Sequence, residues 1–257
     1  MLIIVIPDSG FASSLRHDNK FVWHYKNSSL ALILNIETAT EVCSTALADD
    51  GKLLALEEET KANSHSSVLT ILIQRLFEKS GKELDNLDAI AVSEGPGSYT
   101  GLRIGVSAAK GLCYAINKPL IAVPTLQAMA WGAVRQVNDA SALYCPVLSS
   151  VKDEVFAALY DAALNEIAAP ASCDADLRTF LGFFGNKTVF LSGEGVKKIR
   201  LAEKMRKLHL PNSSQFMIEL SERCFSEKKF CSLAYFEPLY LKNFIAKKTN
   251  FLFTLLP

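Results

Sequence analysis

Hydrophobic and polar positions in residues 31–79 follow a pattern that predicts three strands and then a helix. The runs ALILNIETAT and VCSTALAD are rich in β-forming residues, and Asp49-Asp50-Gly51 is a hairpin turn signal before a third run, KLLALEEET. Apolar residues then recur every three to four positions as far as Leu76. This spacing predicts an amphipathic helix that is capped by Asn63-Ser64 and ends before Gly81.

The remaining residues continue with alternating helix and strand signals. LDAIAVS predicts a buried strand, SEGPGSYTGLRIG a glycine-rich loop, the following run a helix to about Ile116, LIAV a strand, and Thr125 the start of another helix. After the polar residues 138–142 come three further β-rich runs, then helical, strand and helical segments, the last over VKKIRLAEKMRKL. The order βββαβαβα thus occurs twice. It predicts an α/β protein with the two-domain actin-like, ribonuclease H-like fold of sugar kinases, heat-shock chaperones and actin.

Four segments divide the chain. Residues 1–29 lack periodicity and form an atypical extension, 30–137 form the N-terminal actin-like subdomain, 138–246 form the C-terminal subdomain, and 247–257 form an atypical apolar tail.

Composition narrows the class of protein further. The 257 residues include 27 basic and 27 acidic side chains, so bulk electrostatics do not favour a long polyanion, although a local basic patch could be hidden in this balance. The six cysteines are scattered and contain no C-x-x-C motif, as expected for reduced thiols. No apolar run approaches the roughly 20 residues that span a bilayer. We therefore expect a soluble, cytoplasmic protein without a membrane partner.

The glycine-rich loop suggests a phosphate site but matches neither of two common phosphate-binding motifs. In G-x-G-x-x-G, the third glycine would stand where this chain has Thr100. A Walker A loop ends in Gly-Lys-Ser/Thr, whereas here Lys110-Gly111 has the reverse order and lies well inside the predicted helix.

The actin-like fold offers a different phosphate site, built from two hairpins with acidic turns. The first turn reads Glu37-Thr38-Ala39-Thr40, and the second offers Ser149-Ser150 where a carboxylate is expected. Without paired carboxylates the site lacks the charge that holds magnesium. Glu37, Thr38 and Thr40, with Gly193 and Gly195 of a turn resembling an adenosine-side loop, therefore form at most a degenerate nucleotide site.

Catalytic and metal-binding motifs are also missing from the sequence. No two of the four histidines have the spacing of a local zinc site, and neither Ser98 nor Ser107 lies in G-x-S-x-G. We predict no catalytic residue, no metal site and no intrinsic cofactor. The alternative hypothesis is a stand-alone ATP-dependent phosphotransferase or ATPase with the actin-like fold. A peptidase would need a nucleophile or metal site that the sequence does not contain.

Five segments together resemble the TsaB (YeaZ) family of bacterial tRNA threonylcarbamoyladenosine biosynthesis proteins. They are ILNIETATEVCSTAL, HSSVLTILIQRLF, AVSEGPGSYTGLRIGVSAAKGL, PLIAVPTLQAMA and SLAYFEPLYLKNF, and the resemblance covers about residues 30–246. Ser149-Ser150-Val151 departs from the Asp-Ala-Arg-like turn common in the family.

The resemblance implies a non-catalytic subunit that pairs with the paralogous TsaD, which transfers the threonylcarbamoyl group. A small ATPase, TsaE, joins the pair, and the product is the modified adenosine (t6A) beside the anticodon of tRNAs reading codons that begin with A. It further implies that ATP or ADP and magnesium act only in the complex, that tRNA is bound through the complex, and that the chain can dimerise when alone.

The two helices of the first subdomain are the expected docking surface for TsaD. The helix 102–116 is nearly apolar, with Arg103 and Lys110 its only charges, so it is either buried within its own domain or covered by a partner. Family members dock through these helices, which favours the second reading and gives a candidate interface of seven residues: Leu69, Leu72, Ile73, Leu76, Leu102, Val106 and Ala109. The loop residues Gly95, Pro96, Gly97, Gly101 and Gly105 are predicted to form a tight joint between strand and helix.

Overall fold

The computed structural model describes residues 31–60 and 65–242, which form ten strands and five α-helices. The first half contains β1 (Leu32–Glu37), β2 (Cys43–Asp49), β3 (Lys52–Glu59), α1 (His65–Ser80), β4 (Ala89–Gly95), α2 (Tyr99–Ile116), β5 (Leu120–Pro124) and α3 (Thr125–Val137). The second half contains β6 (Leu143–Ser149), β7 (Glu154–Tyr160), β8 (Glu166–Asp174), α4 (Arg178–Phe184), β9 (Val189–Ser192), β10 (Met205–Lys207) and α5 (Ile218–Ser226). The predicted Asn63-Ser64 cap and the segments 1–29 and 247–257 lie outside the described residues.

The two halves build two sheets with the same strand order. The first sheet runs β3-β2-β1-β4-β5 and the second, read from its opposite edge, runs β8-β7-β6-β9-β10. In both, the first three strands are antiparallel neighbours and the last two add in parallel. This repeated order confirms the α/β actin-like fold, with the two halves forming two lobes.

Burial explains which runs became central strands. β1 and β4 are buried on both faces, and their sequences are almost continuously apolar, as expected of strands covered by helices on both sides. β3 lies at an edge and leaves Leu53 and Leu54 exposed. α1 and α2 cover one face of the first sheet, while α3 and α5 cover the other.

The helix α3 joins the two lobes. Its side chains contact β5 on one side and β6 on the other, in a cluster that includes Met129, Tyr144 and Tyr160. The last described residues also link the lobes, because Leu239 N donates to the Glu94 carbonyl and Lys242 forms an ion pair with Glu154 of β7. Within the described ranges, no helix is both long and apolar enough to cross a bilayer.

One predicted helix is wrong. The segment VKKIRLAEKMRKL contains a short 3₁₀ turn at Glu194–Lys198, an extended connection and the edge strand β10. Its buried residues are Val196, Ile199 and Met205. Their spacing is too wide for one helical face, because the segment has to travel from the end of β9 to the start of the parallel strand β10.

Candidate functional site

The glycine-rich loop is fastened to the turn between β1 and β2. Ser98 N donates to the Ala39 carbonyl at 2.7 Å, and the Ser98 hydroxyl caps α2 by accepting from Gly101 N at 3.2 Å. A Cβ on Gly97 would overlap the Ala39 backbone, and a Cβ on Gly101 would overlap the Thr38 carbonyl oxygen. These glycines therefore let strand, loop and helix approach the turn at backbone contact distance.

The other residues of the predicted joint have similar packing. Gly95 has a φ of +108°, and a Cβ there would lie 2.7 Å from the carbonyl oxygen of Leu239. Pro96 follows it in a cis peptide and is buried. Gly105 lies so close to the Thr38 hydroxyl that a Cβ would overlap it.

The first degenerate phosphate turn is closed from above by this loop. Glu37 is fully buried, and its Oε1 accepts from Ala39 N at 2.6 Å. Its Oε2 and the hydroxyl of Thr38 have no hydrogen-bond partner among the described residues. Burial raises the pKa of the Glu37 carboxyl, and the Ala39 amide lowers it only in part. The neutral acid is thus favoured, which leaves little charge for a metal ion.

The remaining residue of that turn, Thr40, also has a local structural role. Its hydroxyl accepts from Val42 N at 3.2 Å, and its carbonyl oxygen lies 2.9 Å from Nε2 of His65 at the start of α1. These contacts hold the turn against α1.

The two glycines of the second lobe pack on β6. A Cβ on Gly193 would overlap the Val147 carbonyl, and one on Gly195 would lie 2.7 Å from the Leu148 carbonyl carbon. Both positions are therefore closed by backbone and do not form an open adenosine pocket.

Lys198 fills the turn that would be the second phosphate hairpin. Its Nζ donates to the carbonyl oxygens of Ser150, Lys152 and Glu154 at 2.9, 2.6 and 3.2 Å. An ammonium group thus satisfies the backbone of a turn that has no carboxylate in its Ser149-Ser150 positions.

A magnesium–nucleotide group does not fit these residues. Magnesium requires several oxygen ligands, usually carboxylates, whereas here one buried acid with an elevated pKa faces a covered turn. Within the described ranges, no group of three His, Cys, Asp or Glu side chains could hold a metal ion.

Replacement of Lys198 by methionine is expected to lower the free energy of unfolding by about 2 kcal/mol, because three carbonyls lose a charged donor. Lys197→Met is the matched control, since Lys197 is exposed and adjacent, and its effect should stay within about 0.5 kcal/mol. Urea denaturation followed by circular dichroism measures both. Equal effects of the two substitutions would show that the carbonyl contacts contribute nothing.

The seven predicted interface residues lie in the hydrophobic core. Leu76, Leu102 and Ala109 are completely buried, and Ile73, the most exposed of the seven, keeps only 7% of its surface. Leu69, Leu72 and Val106 belong to the same cluster beneath α1 and α2. This corrects the candidate interface: the apolar stripes cover the chain's own first sheet, and a partner meets the opposite faces of the helices.

Those opposite faces enclose an apolar groove with a volume of about 700 Å³. Its walls are made by the outward sides of α1 and α2 and by the segment that follows α1. Its lining comprises Thr70, Ile73, Gln74, Phe77, Glu78, Lys82, Leu84, Ser107, Ala108, Gly111 and Leu112. We call this the α1/α2 groove. The small residues Ser107, Ala108 and Gly111 form its floor on α2, so that another helix could approach closely.

A second hollow of about 510 Å³ meets the α1/α2 groove at Ser107. Here the Arg103 guanidinium lies 4.4 Å from the centre of the Tyr99 ring, and Arg103 Nε is 3.3 Å from the Tyr240 hydroxyl. The Tyr99 and Tyr240 rings are 4.9 Å apart. Sequence reasoning missed this cluster, because no local pattern relates Tyr240 to a helix more than a hundred residues earlier.

Comparison with known proteins identifies the family. The family model for TsaD, tRNA N6-adenosine threonylcarbamoyltransferase, matches residues 58–243. The tRNA threonylcarbamoyladenosine biosynthesis protein TsaB of Escherichia coli is 32% identical over 229 residues, covering 84% of this chain and 96% of that protein. The chain belongs to the TsaB family.

Other similarities agree with TsaB and separate it from the transferase. TsaB of Haemophilus influenzae is 26% identical and is covered over 95% of its length. A tRNA N6-adenosine threonylcarbamoyltransferase of Bacillus subtilis is 34% identical over 107 residues, but only 31% of it is covered. YeaZ from Pseudomonas aeruginosa, a solved structure, has a TM-score of 0.72 at 23% identity, covering 82% of this chain and all of that one, and so supports the fold.

Proposed function

We propose that this TsaB-family chain is a non-catalytic partner subunit in the biosynthesis of t6A. It scaffolds and activates a TsaD-type subunit, which adds threonylcarbamoyl to the adenosine beside the anticodon of tRNAs reading codons that begin with A. The observation that carries the proposal is the α1/α2 groove, together with relatives whose names place them in tRNA threonylcarbamoyladenosine biosynthesis.

The groove has the chemistry of a helix-docking surface. The side chains of Ile73, Phe77 and Leu112 are half-buried or better and give it apolar walls, while the small residues of α2 give it depth. Gln74, Glu78 and Lys82 provide a polar rim. An apolar centre with a polar rim is the usual anatomy of a subunit interface.

The partner that best suits this groove is a pair of helices. The family resemblance supplies TsaD, whose corresponding helices would complete a four-helix bundle with α1 and α2. When no TsaD-type protein is present, the same groove suits a second copy of this chain.

The closed turns support a role without chemistry of its own. Glu37 is the only acid of the first turn and is buried beneath the glycine loop, while Lys198 occupies the second turn. ATP or ADP and magnesium then enter only through the complex, with TsaE as the ATPase and tRNA as the shared substrate.

Mixing the purified chain with a TsaD-type protein tests this proposal. Analytical ultracentrifugation should show a heteromeric complex at micromolar concentration, and the isolated chain should not hydrolyse ATP. Two separate species would contradict the proposal. Magnesium-dependent ATP turnover by the isolated chain would instead support a stand-alone phosphotransferase or ATPase.

A further inference from the structure

We propose that the basic edge of the second lobe binds the phosphate backbone of the substrate RNA. Residues 187–207 contain seven lysine and arginine residues but only two glutamates, a formal charge of +5 in a chain whose total is zero. Six of these cations are exposed and define the basic edge: Lys187, Lys197, Arg200, Lys204, Arg206 and Lys207. The seventh, Lys198, is held by the β6–β7 turn.

The fold places these side chains along one edge of the sheet. β10 pairs only with β9 and is the last strand in its sheet, so Arg206 and Lys207 lie at a free edge. Lys204 immediately precedes β10, and its carbonyl accepts from Val189 N. At a strand rise of about 3.3 Å per residue, Lys204 to Lys207 span about 10 Å, which exceeds the spacing of several backbone phosphates along a duplex axis.

Carboxylates do not neutralise this edge. The Lys204 ammonium donates to the Gly185 carbonyl and the Asn186 side chain, and the Arg206 guanidinium donates to backbone carbonyls. The ion pairs found among residues 31–60 and 65–242 involve none of the six cations. They therefore retain the positive charge that phosphate recognition requires.

Two other readings explain less of the pattern. Charged side chains on an edge strand deter pairing with other sheets, but this accounts for Arg206 and Lys207 only and leaves Lys187, Lys197 and Arg200 unexplained. A membrane surface is usually met by an amphipathic helix, whereas these cations lie on a strand and its connections. RNA is the polyanion that agrees with the proposed function, on which this inference rests.

The test measures binding of unmodified tRNA to the preformed complex with a TsaD-type protein. The variant Lys204→Gln, Arg206→Gln, Lys207→Gln should bind fluorescein-labelled tRNA about tenfold more weakly, and the slope of log K against log salt should become shallower by about 2 to 3. The control Lys52→Gln, Arg135→Gln, Arg178→Gln removes the same charge elsewhere and should match the wild type. Sedimentation first establishes that each variant still forms the complex.

Unchanged affinity and slope in the variant would overturn the inference, as would selective loss of binding to phosphatidylserine vesicles with tRNA binding intact. If the strand variant does not fold, Lys187→Gln, Lys197→Gln, Arg200→Gln applies the same test outside β10. If the wild-type chain forms no complex, the proposed function fails, and tRNA titration of the full chain alone then decides this inference separately.

Discussion

Replacement of Gly101 by alanine is expected to lower the free energy of unfolding by about 3 kcal/mol. The new Cβ would overlap the carbonyl oxygen of Thr38, and a backbone atom in the β1–β2 turn cannot rotate away. The helix, the loop or the turn would have to move. Such a shift would also disturb the Ser98 cap and its hydrogen bond to Ala39.

Gly111→Ala is the matched control for this substitution. Gly111 lies on the same helix, and a Cβ there would meet no atom within 4 Å. Since alanine favours helix more than glycine does, the control should be neutral or stabilise by up to about 1 kcal/mol. Urea denaturation of both variants gives the comparison. Equal destabilisation would contradict the close-approach role of Gly101.

Two glutamates in the α1/α2 groove are expected to abolish docking of the TsaD-type subunit. Ser107→Glu with Gly111→Glu places two charges at exposed positions on the floor of the groove, where a partner would have to desolvate them. We expect the dissociation constant to rise at least about 100-fold, or about 2.7 kcal/mol. Isothermal titration calorimetry measures this constant directly.

The control for the groove variant carries the same added charge elsewhere. Ala115→Glu with Gln136→Glu changes exposed positions on α2 and α3 that do not line the groove. This control should bind as the wild type does. If the groove variant and the control bind equally well, docking does not use this surface. Leu76→Glu would not test docking, since a charge there would be buried in the core.

Sequence patterns predicted the fold well where burial is periodic. α1 and α2 bury stripes at helical spacing, and β1 and β4 are continuously apolar because both of their faces are covered. The repeated strand order followed from the same signals. The segment containing β10 was misread, because its mixture of lysines and isolated apolar residues also fits a helix.

The candidate interface could not be predicted from hydrophobicity alone. An apolar stripe shows what a helix buries, and Leu72 and Val106 are buried first against the chain's own sheet. The outward face mixes small and polar residues such as Ser107 and Gly111, which carry no hydrophobic signal. The cluster of Tyr99, Arg103 and Tyr240 depends on a long-range contact, which no local pattern specifies.

The glycine loop shows how the close approach of two backbones can resemble a ligand motif. Its glycines suggested a phosphate cradle, but Gly97 and Gly101 meet the Ala39 and Thr38 backbone. A glycine selected for close backbone packing and one selected for a ligand leave the same letter in a sequence.

The most direct test of the central claim is formation of t6A in unmodified tRNA, measured by nucleoside mass spectrometry. The reaction contains a TsaD-type subunit, a TsaE-type ATPase and a threonylcarbamoyl donor, with or without this chain. We expect t6A to form with the wild-type chain and to fall to background without it or with the Ser107→Glu, Gly111→Glu variant. Formation of t6A at the same rate in the absence of the chain would contradict the account.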